Sequence, residues 1–227
     1  MIASDTIGPE ITAYTAVPPF AEGRIKDIRV RWALEEIERP YHTRLIEGIF
    51  EEKPQDYLEE QPFGQVPVYR EGGLTLFESG SILIHIGESD DRLLPRDPVK
   101  RARTISWLIA ALNSVEPTIQ ATIVVTFFGR DADGNDYDWK APALGALQPF
   151  AEKRVAQLSA ALGDKEWLEG AFSIADIVTI DVLRNASPAL IEKHPNLVAY
   201  VKRGTSRPAF KRAMEAHLAD AKAKEAA

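Results

Sequence analysis

The sequence predicts an α+β half of about 80 residues followed by an all-α half, and three observations carry that prediction. Strand-like and helix-like segments alternate up to a helix that opens near Ser79. Leu93-Leu94-Pro95-Arg96-Asp97-Pro98 then interrupts the pattern with two prolines in a short stretch. Beyond it no convincing strand pair occurs. The boundaries that follow are 9–92 for the sheet-containing domain, 93–98 for the linker and 99–227 for the helical domain.

The elements follow in order. The first ten residues are polar and read as a loose arm. Ile11 to Tyr14 reads as a short strand, ended by Val17-Pro18-Pro19. Val30, Ala33, Leu34 and Ile37 recur at helical spacing, with Arg29, Arg31, Glu35 and Glu36 expected mostly to face outward, and Pro40 closes this helix. Tyr41 to Ile46 alternates as a second strand, and the charged stretch Lys53 to Glu60 reads as a short irregular helix. Val66 to Tyr69 is the third strand, joined through a Glu71-Gly72-Gly73 hairpin turn to a partner over Leu74 to Phe77. A helix through Ile82, Leu83, Ile84 and Ile86 completes the first half.

In the second half, Arg101 to Thr126 reads as one long helix with Pro117 as a kink or boundary, and Gly129 to Pro142 as a polar loop. Ala143 to Leu162 is helical by its apolar spacing. Ser173 to Asn185 is apolar nearly all round and predicts a buried central helix. Ser173 and Asp176 have the spacing of a capping box, with Phe172 placed as a hydrophobic staple; this is a folding device. Helices over Asn196 to Gly204 and Pro208 to Lys224 finish the chain, and the Ala/Lys/Glu tail reads as a fraying helix end.

Composition narrows the function classes. A net charge of -7 without a dense Lys/Arg run argues against a nucleic-acid binder. The absence of cysteine excludes disulfides, Cys nucleophiles and thiolate metal sites. The start has neither a basic nor an apolar signal region, and no apolar stretch reaches the ~18 residues of a membrane span. A cytoplasmic protein with no membrane partner is the expectation.

The stretch that carries chemistry is Gln65-Val66-Pro67, followed at close range by Glu78-Ser79. Pro67 lacks the N–H a central ladder needs, so it marks an edge, a strand start or a cis turn. Glu78-Ser79 stands at the mouth of a helix, where unpaired N–H groups and partial positive charge favour a carboxylate. A turn that exposes peptide backbone beside such a mouth suits a small peptide. An ordinary helix cap is the competing reading of Glu78-Ser79.

Taken together, Val66-Pro67, Glu78-Ser79, the Pro-containing linker and the Ser173-Ile174-Ala175-Asp176 helix opening resemble the glutathione S-transferase family. The segment Arg29-Val30-Arg31-Trp32-Ala33-Leu34-Glu35-Glu36 with Pro40-Tyr41 resembles that family's first helix and second strand, and the likeness runs from about Ile11 to Arg212. The resemblance implies a thioredoxin-like domain carrying the glutathione site, an all-α helical-bundle domain and a homodimer. It implies that Val66 pairs its backbone with the cysteinyl part of glutathione, with Pro67 as a cis-proline. Glu78 then faces the ammonium and Ser79 the carboxylate of the γ-glutamyl end, while Gln65 and Lys53 fit the glycyl side.

The family's sulfur-activating Tyr, Ser or Cys follows the first strand, and here the sequence departs: the place reads Thr15-Ala16-Val17-Pro18-Pro19-Phe20. One alignment puts Pro18 at the position, another Val17, and neither side chain donates a hydrogen bond. Thr15 is the first candidate for the catalytic hydroxyl. Tyr14 is a second, unless it is a packed strand residue, and backbone N–H groups around Ala21 to Gly23 with Arg24 nearby are a third.

The remaining motifs are weaker. Asp131 to Asp136 has the wrong glycine position for a calcium loop, and the four histidines lack metal spacing, so no metal is expected. Trp107, Phe127, Phe128 and Trp139 are candidates for an apolar second-substrate pocket or for core. The expected function is an enzyme of detoxification type that uses glutathione, as co-substrate, to conjugate or reduce a small apolar electrophile. The alternatives are a non-catalytic glutathione- or ligand-binding protein and a glutathione-dependent disulfide or peroxide reductase.

Overall fold

Every other strand of the sheet is hung on β1 (Glu10–Tyr14) or on its neighbour, in the order β2-β1-β3-β4. The computed structural model describes residues 8–221. The expected arm is therefore outside the described residues up to position 7, and the tail from 222 onward is outside them too. The chain forms two units: one takes the residues up to Leu94 together with those from Ser206 onward, the other is Pro95–Thr205.

In the first unit, β1 pairs in parallel with β2 (His42–Ile46), from Glu10 opposite His42 to Tyr14 opposite Ile46. A parallel pair needs a crossover, and α1 (Asp27–Glu36) supplies it. The other edge of β1 runs antiparallel to β3 (Val68–Glu71), which turns through Gly72 and Gly73 into β4 (Leu74–Phe77). Both glycines have positive φ, 52° and 86°, the requirement of the tight turn the sequence predicts. A short α2 (Gln55–Glu60) precedes β3, and α3 (Ser79–Glu88) follows β4.

Two expectations for this unit are corrected. The third strand starts at Val68, not Val66, because Pro67 has no N–H to give and the Val68 N–H is taken by the Thr12 side chain at 2.7 Å. Arg29 and Arg31 do not face outward: each is 1% exposed. The helix α1 has almost no solvent face, since the sheet, α3 and α10 (Pro208–Ala221) all pack on it. Arg31 is held by Asp27 at 2.8 Å and Asp220 at 2.6 Å, and Arg29 donates to Ser79 Oγ at 3.3 Å.

From sequence, α10 belongs with the all-α half; in the structure it joins the first unit. Its sequence matches α1 rather than the bundle. Arg207 reaches Glu36 at 2.6 Å, Arg212 reaches Glu35 at 2.6 Å, His217 Nδ1 lies 2.9 Å from Asp27, and Phe210 meets Trp32 edge to face at 4.8 Å. Pattern within a helix reports its apolar stripe but not which partner the stripe meets.

The second unit is helical throughout: α4 (Pro98–Ala110), α5 (Glu116–Phe128), α6 (Lys140–Leu162), α7 (Ile174–Arg184), α8 (Pro188–Ile191) and α9 (Pro195–Thr205). The long helix expected over 101–126 is present and extended, with a π-helical turn at Ala111–Val115 just before Pro117. The wider turn accommodates a proline whose missing N–H and ring clash would otherwise break the ladder. Pro98–Phe128 is, by length and composition, apolar enough to cross a membrane, contrary to the expectation that no stretch is. Searching for unbroken apolar runs missed it because isolated polar residues interrupt the run. Phe127, Phe128 and Trp139 are exposed, so they are not core.

The helix α7 is buried from Ile174 to Leu183, as its composition predicts. Its capping box is formed. Ser173 Oγ accepts the Ala175 N–H at 3.3 Å, and Asp176 accepts the Ser173 N–H at 2.9 Å, the Leu168 N–H at 3.0 Å and the Tyr200 hydroxyl at 2.7 Å. Burial raises the Asp176 carboxyl above its ordinary range, and these bonds act against that rise.

Candidate functional site

The site is built from the turn before β3. Gly64 has φ 63°, a conformation that favours glycine, and a Cβ there would press on Lys53 Cγ at 3.2 Å. The Gly64 N–H bonds the Gln61 carbonyl at 2.9 Å, and the Phe63 N–H bonds the Gln61 side chain at 2.7 Å. The Val66–Pro67 bond is cis, and both residues are buried, while Gln65 is exposed.

The α3 mouth lies beside this turn because β3 pairs with β4 up to Val68 opposite Phe77. The next residues out are Pro67 and Glu78. Thus Val66, Pro67, Glu78 and Ser79 are brought together by one hairpin. Glu78 has φ 67° and ψ 114°, a backbone conformation costly for a residue with a side chain. Its carboxylate does not cap α3, which removes the ordinary-cap reading for Glu78 and leaves the first-turn N–H groups uncapped by the N-cap side chain. Ser79 is buried, and its Oγ accepts from Arg29. A hydroxyl that accepts from a guanidinium keeps its own proton to give elsewhere.

Lys53 lies against the turn at Gly64. Its Nζ donates to the Gly48 carbonyl at 2.6 Å and to the Glu51 carbonyl, and sits 5.4 Å from the centre of the Tyr14 ring. Tyr14 is buried in a cluster with Tyr57, Val66 and Val68, and its hydroxyl donates to the Gly64 carbonyl at a long 3.5 Å. Burial raises its phenol to about 12, helped by nearby Tyr57 and Asp27 and opposed by a hydrogen bond with the Val66 backbone.

Thr15 follows β1 as expected. Its N–H bonds the Ile46 carbonyl at 2.8 Å, and its Oγ1 is buried without a hydrogen-bond partner among the described residues. The backbone alternative over Ala21 to Gly23 is narrowed to Gly23. The Ala21 and Arg24 N–H groups bond the Pro18 and Ala21 carbonyls at 2.8 and 2.9 Å, and Glu22 bonds Pro19 at 3.4 Å. Those three donors go to the segment's own turns, and the Gly23 N–H is left to the alternative.

Sequence reasoning did not single out three side chains that shape this site. Arg29 acts on Ser79. Tyr57 donates to the Gln65 carbonyl at 2.6 Å, and Thr12 lies 3.1 Å from the Tyr57 hydroxyl. Tyr57 stands out in hindsight as the lone aromatic in a charged six-residue helix. A groove of about 760 Å³ opens elsewhere in the same unit, beside Arg31, Tyr41, Arg212 and Asp220, and includes none of the predicted site residues. Among the described residues no group of three or more His, Asp or Glu side chains is placed to hold a metal ion.

Comparison with known proteins gives this geometry its family. Residues 20–88 match the model of the glutathione S-transferase N-terminal domain. The chain is 33% identical to glutathione S-transferase F14 of Arabidopsis thaliana over 176 residues, covering 70% of this chain and 67% of that protein. It is 31% identical to human glutathione S-transferase P over 154 residues, 66% of this chain and 68% of that one. Among solved structures, a glutathione transferase family member from Pseudomonas fluorescens with two glutathione bound superposes with a TM-score of 0.75 at 25% identity, covering 94% of this chain and 95% of that chain. The poplar glutathione transferase F2 superposes equally well, at 0.75 and 24% identity, over 93% and 99% of the two chains, and supports the fold. A thioredoxin-like sheet unit, a helical unit, and relatives above 30% identity across two thirds of their own length lead to one conclusion: the chain belongs to the glutathione S-transferase family.

Proposed function

We propose that the protein binds glutathione at the Gln65–Pro67 turn and the α3 mouth and uses its thiolate to conjugate or reduce a small apolar electrophile. The observation that carries this reading is the hairpin that sets Val66–Pro67 beside Glu78–Ser79. An extended peptide can pair with the Val66 backbone as an added strand. Its γ-glutamyl carboxylate meets the Ser79 hydroxyl and the uncapped N–H groups of α3, and its ammonium meets Glu78. Gln65 and Lys53 serve the glycyl end.

Of the two hydroxyls at the end of β1, Tyr14 suits the sulfur better than Thr15. Its oxygen reaches the turn itself, whereas Thr15 Oγ1 is sealed from solvent. A phenol raised to about 12 stays protonated at neutral pH, and a neutral donor stabilises a thiolate by hydrogen bonding to it. Rate then comes from supplying and orienting thiolate. A homodimer in the cytoplasm belongs to the same proposal. The second reading, glutathione binding without turnover, is favoured by the burial of both hydroxyls.

The test is calorimetric titration with glutathione, followed by turnover of a chlorodinitrobenzene or of a small disulfide. Binding with turnover, both lost in Ser79→Ala and turnover alone reduced in Tyr14→Phe, supports the enzyme. Binding with no turnover of either substrate supports the carrier, and no binding rejects both.

A further inference from the structure

We infer that Tyr57 and Thr12 are positioning residues that hold the backbone of the peptide-binding turn from both sides of Val66–Pro67. The inference rests on the glutathione reading. The Tyr57 hydroxyl donates to the Gln65 carbonyl at 2.6 Å, and Thr12 Oγ1, 3.1 Å away, accepts the Val68 N–H at 2.7 Å. A carbonyl only accepts and an amide N–H only donates, so the proton order along the chain is fixed. Val68 gives to Thr12, Thr12 gives to Tyr57, and Tyr57 gives to Gln65. Each hydroxyl receives one bond and donates one, with no donor left over.

The two backbone groups at the ends of this relay flank Val66 and Pro67. One end is tied to β1 and the other to α2. The backbone ladder between β1 and β3 runs only as far as Ile11 opposite Tyr69. At the next step the Thr12 side chain takes over where main-chain pairing stops, which is also where the turn must leave its own groups for a ligand. Thr12 and Tyr57 are 0% and 2% exposed, so water does not compete for these hydroxyls and a broken link leaves an unsatisfied buried group.

Plain packing would need only the ring of Tyr57, which lies in the apolar cluster with Tyr14, Val66 and Val68. The hydroxyl is the part that packing does not require. A ligand added as a strand depends on main-chain groups held at fixed spacing, so losing the relay is felt as affinity. Neither side chain needs to touch the ligand.

The experiment titrates glutathione into the full-length protein and into Tyr57→Phe, Thr12→Val, Thr12→Ser and the Phe/Val double variant, with thermal melts of each. Tyr57→Phe and Thr12→Val are expected to raise Kd about 5–10-fold, the loss of roughly one net hydrogen bond. Thr12→Ser, which keeps the hydroxyl, is expected to stay within about twofold of wild type, and the double variant to be no weaker than the worse single, because both break one chain. A folded Tyr57→Phe that binds like wild type, or additive losses in the double variant, would overturn the inference while leaving the glutathione reading intact. Wild-type protein that does not bind glutathione removes that reading and this one with it. If Tyr57→Phe does not fold, the contrast between Thr12→Val and Thr12→Ser decides.

Discussion

Glu78 offers a substitution in which stability and binding should move in opposite directions. Its φ of 67° with ψ of 114° is a conformation that costs a side-chain-bearing residue of the order of 1–3 kcal/mol. Glycine removes that cost but adds about 0.5–1 kcal/mol of unfolded-chain entropy. The net expectation for Glu78→Gly is stabilisation by about 0–2.5 kcal/mol, or up to roughly 10 °C in Tm for a chain of this size. The carboxylate caps nothing in α3, so its loss takes no helix bond away. In the proposed complex the same carboxylate holds the ammonium of glutathione, and a charge-assisted hydrogen bond of about 1.5–3 kcal/mol corresponds to a Kd roughly 10–150-fold weaker. Glu78→Gln separates the two effects: it keeps the strained backbone and should leave Tm within about 1 °C of wild type, while weakening binding nearly as much as glycine. Differential scanning fluorimetry and calorimetric titration of the three proteins make the comparison. A lower Tm for Glu78→Gly would refute the strain argument; a higher Tm with unchanged Kd would refute the assignment of Glu78 to the ligand.

Two further predictions concern the body of the first unit. Asp27→Ala should destabilise by about 3–5 kcal/mol in urea unfolding, because it leaves Arg31, 1% exposed, with only the half-buried Asp220 and strips His217 of its partner; a loss below about 1 kcal/mol would mean that this cluster does not hold α10 on α1. Tyr14, raised from 10.0 to about 12 chiefly by burial, keeps its proton in the folded state over a range where the unfolded chain has released it. Its contribution to stability should therefore be unaffected below pH 10 and fall by about 3 kcal/mol as pH rises from 10 through 12; because burial also raises Tyr41, Tyr57, Tyr69 and Tyr200, the alkaline loss should be smaller by about that amount in Tyr14→Phe, not absent, when melts of the two proteins are compared across that range.

What the sequence disclosed was local. Gly72-Gly73, Pro67, the Ser173/Asp176 box and the apolar run of α7 each announce themselves within a few residues, because turn sterics, a missing N–H and helix-end donors act at short range. The structure keeps all of them. What it adds acts across the chain. Thr12 and Tyr57 are 45 positions apart, Arg29 and Ser79 are 50, and Arg31 and Asp220 are 189. No window of pattern contains such pairs. The outward placement of Arg29 and Arg31 failed for the same reason: their neighbours in α1 look like an ordinary amphipathic helix until α10 covers the side expected to be wet.

The two arginines of α1 divide the work of that helix. Arg31 meets two carboxylates, Asp27 and Asp220, and its charge is spent on joining α10 to α1. Arg29, two residues earlier and so on a different side of the helix, meets the hydroxyl of Ser79. The Ser79 hydroxyl accepts from the guanidinium and turns its own proton away from it. The uncapped N–H groups of α3 point the same way. Two features of the mouth therefore favour an anion: a helix end that its N-cap side chain leaves uncapped, and a serine whose proton is free to donate. Glu78, the carboxylate at the mouth, has a positive φ and does not cap it. An ordinary cap would have used the carboxylate to satisfy the helix; here it is not so used, and the site retains one group for each charge of an amino-acid end.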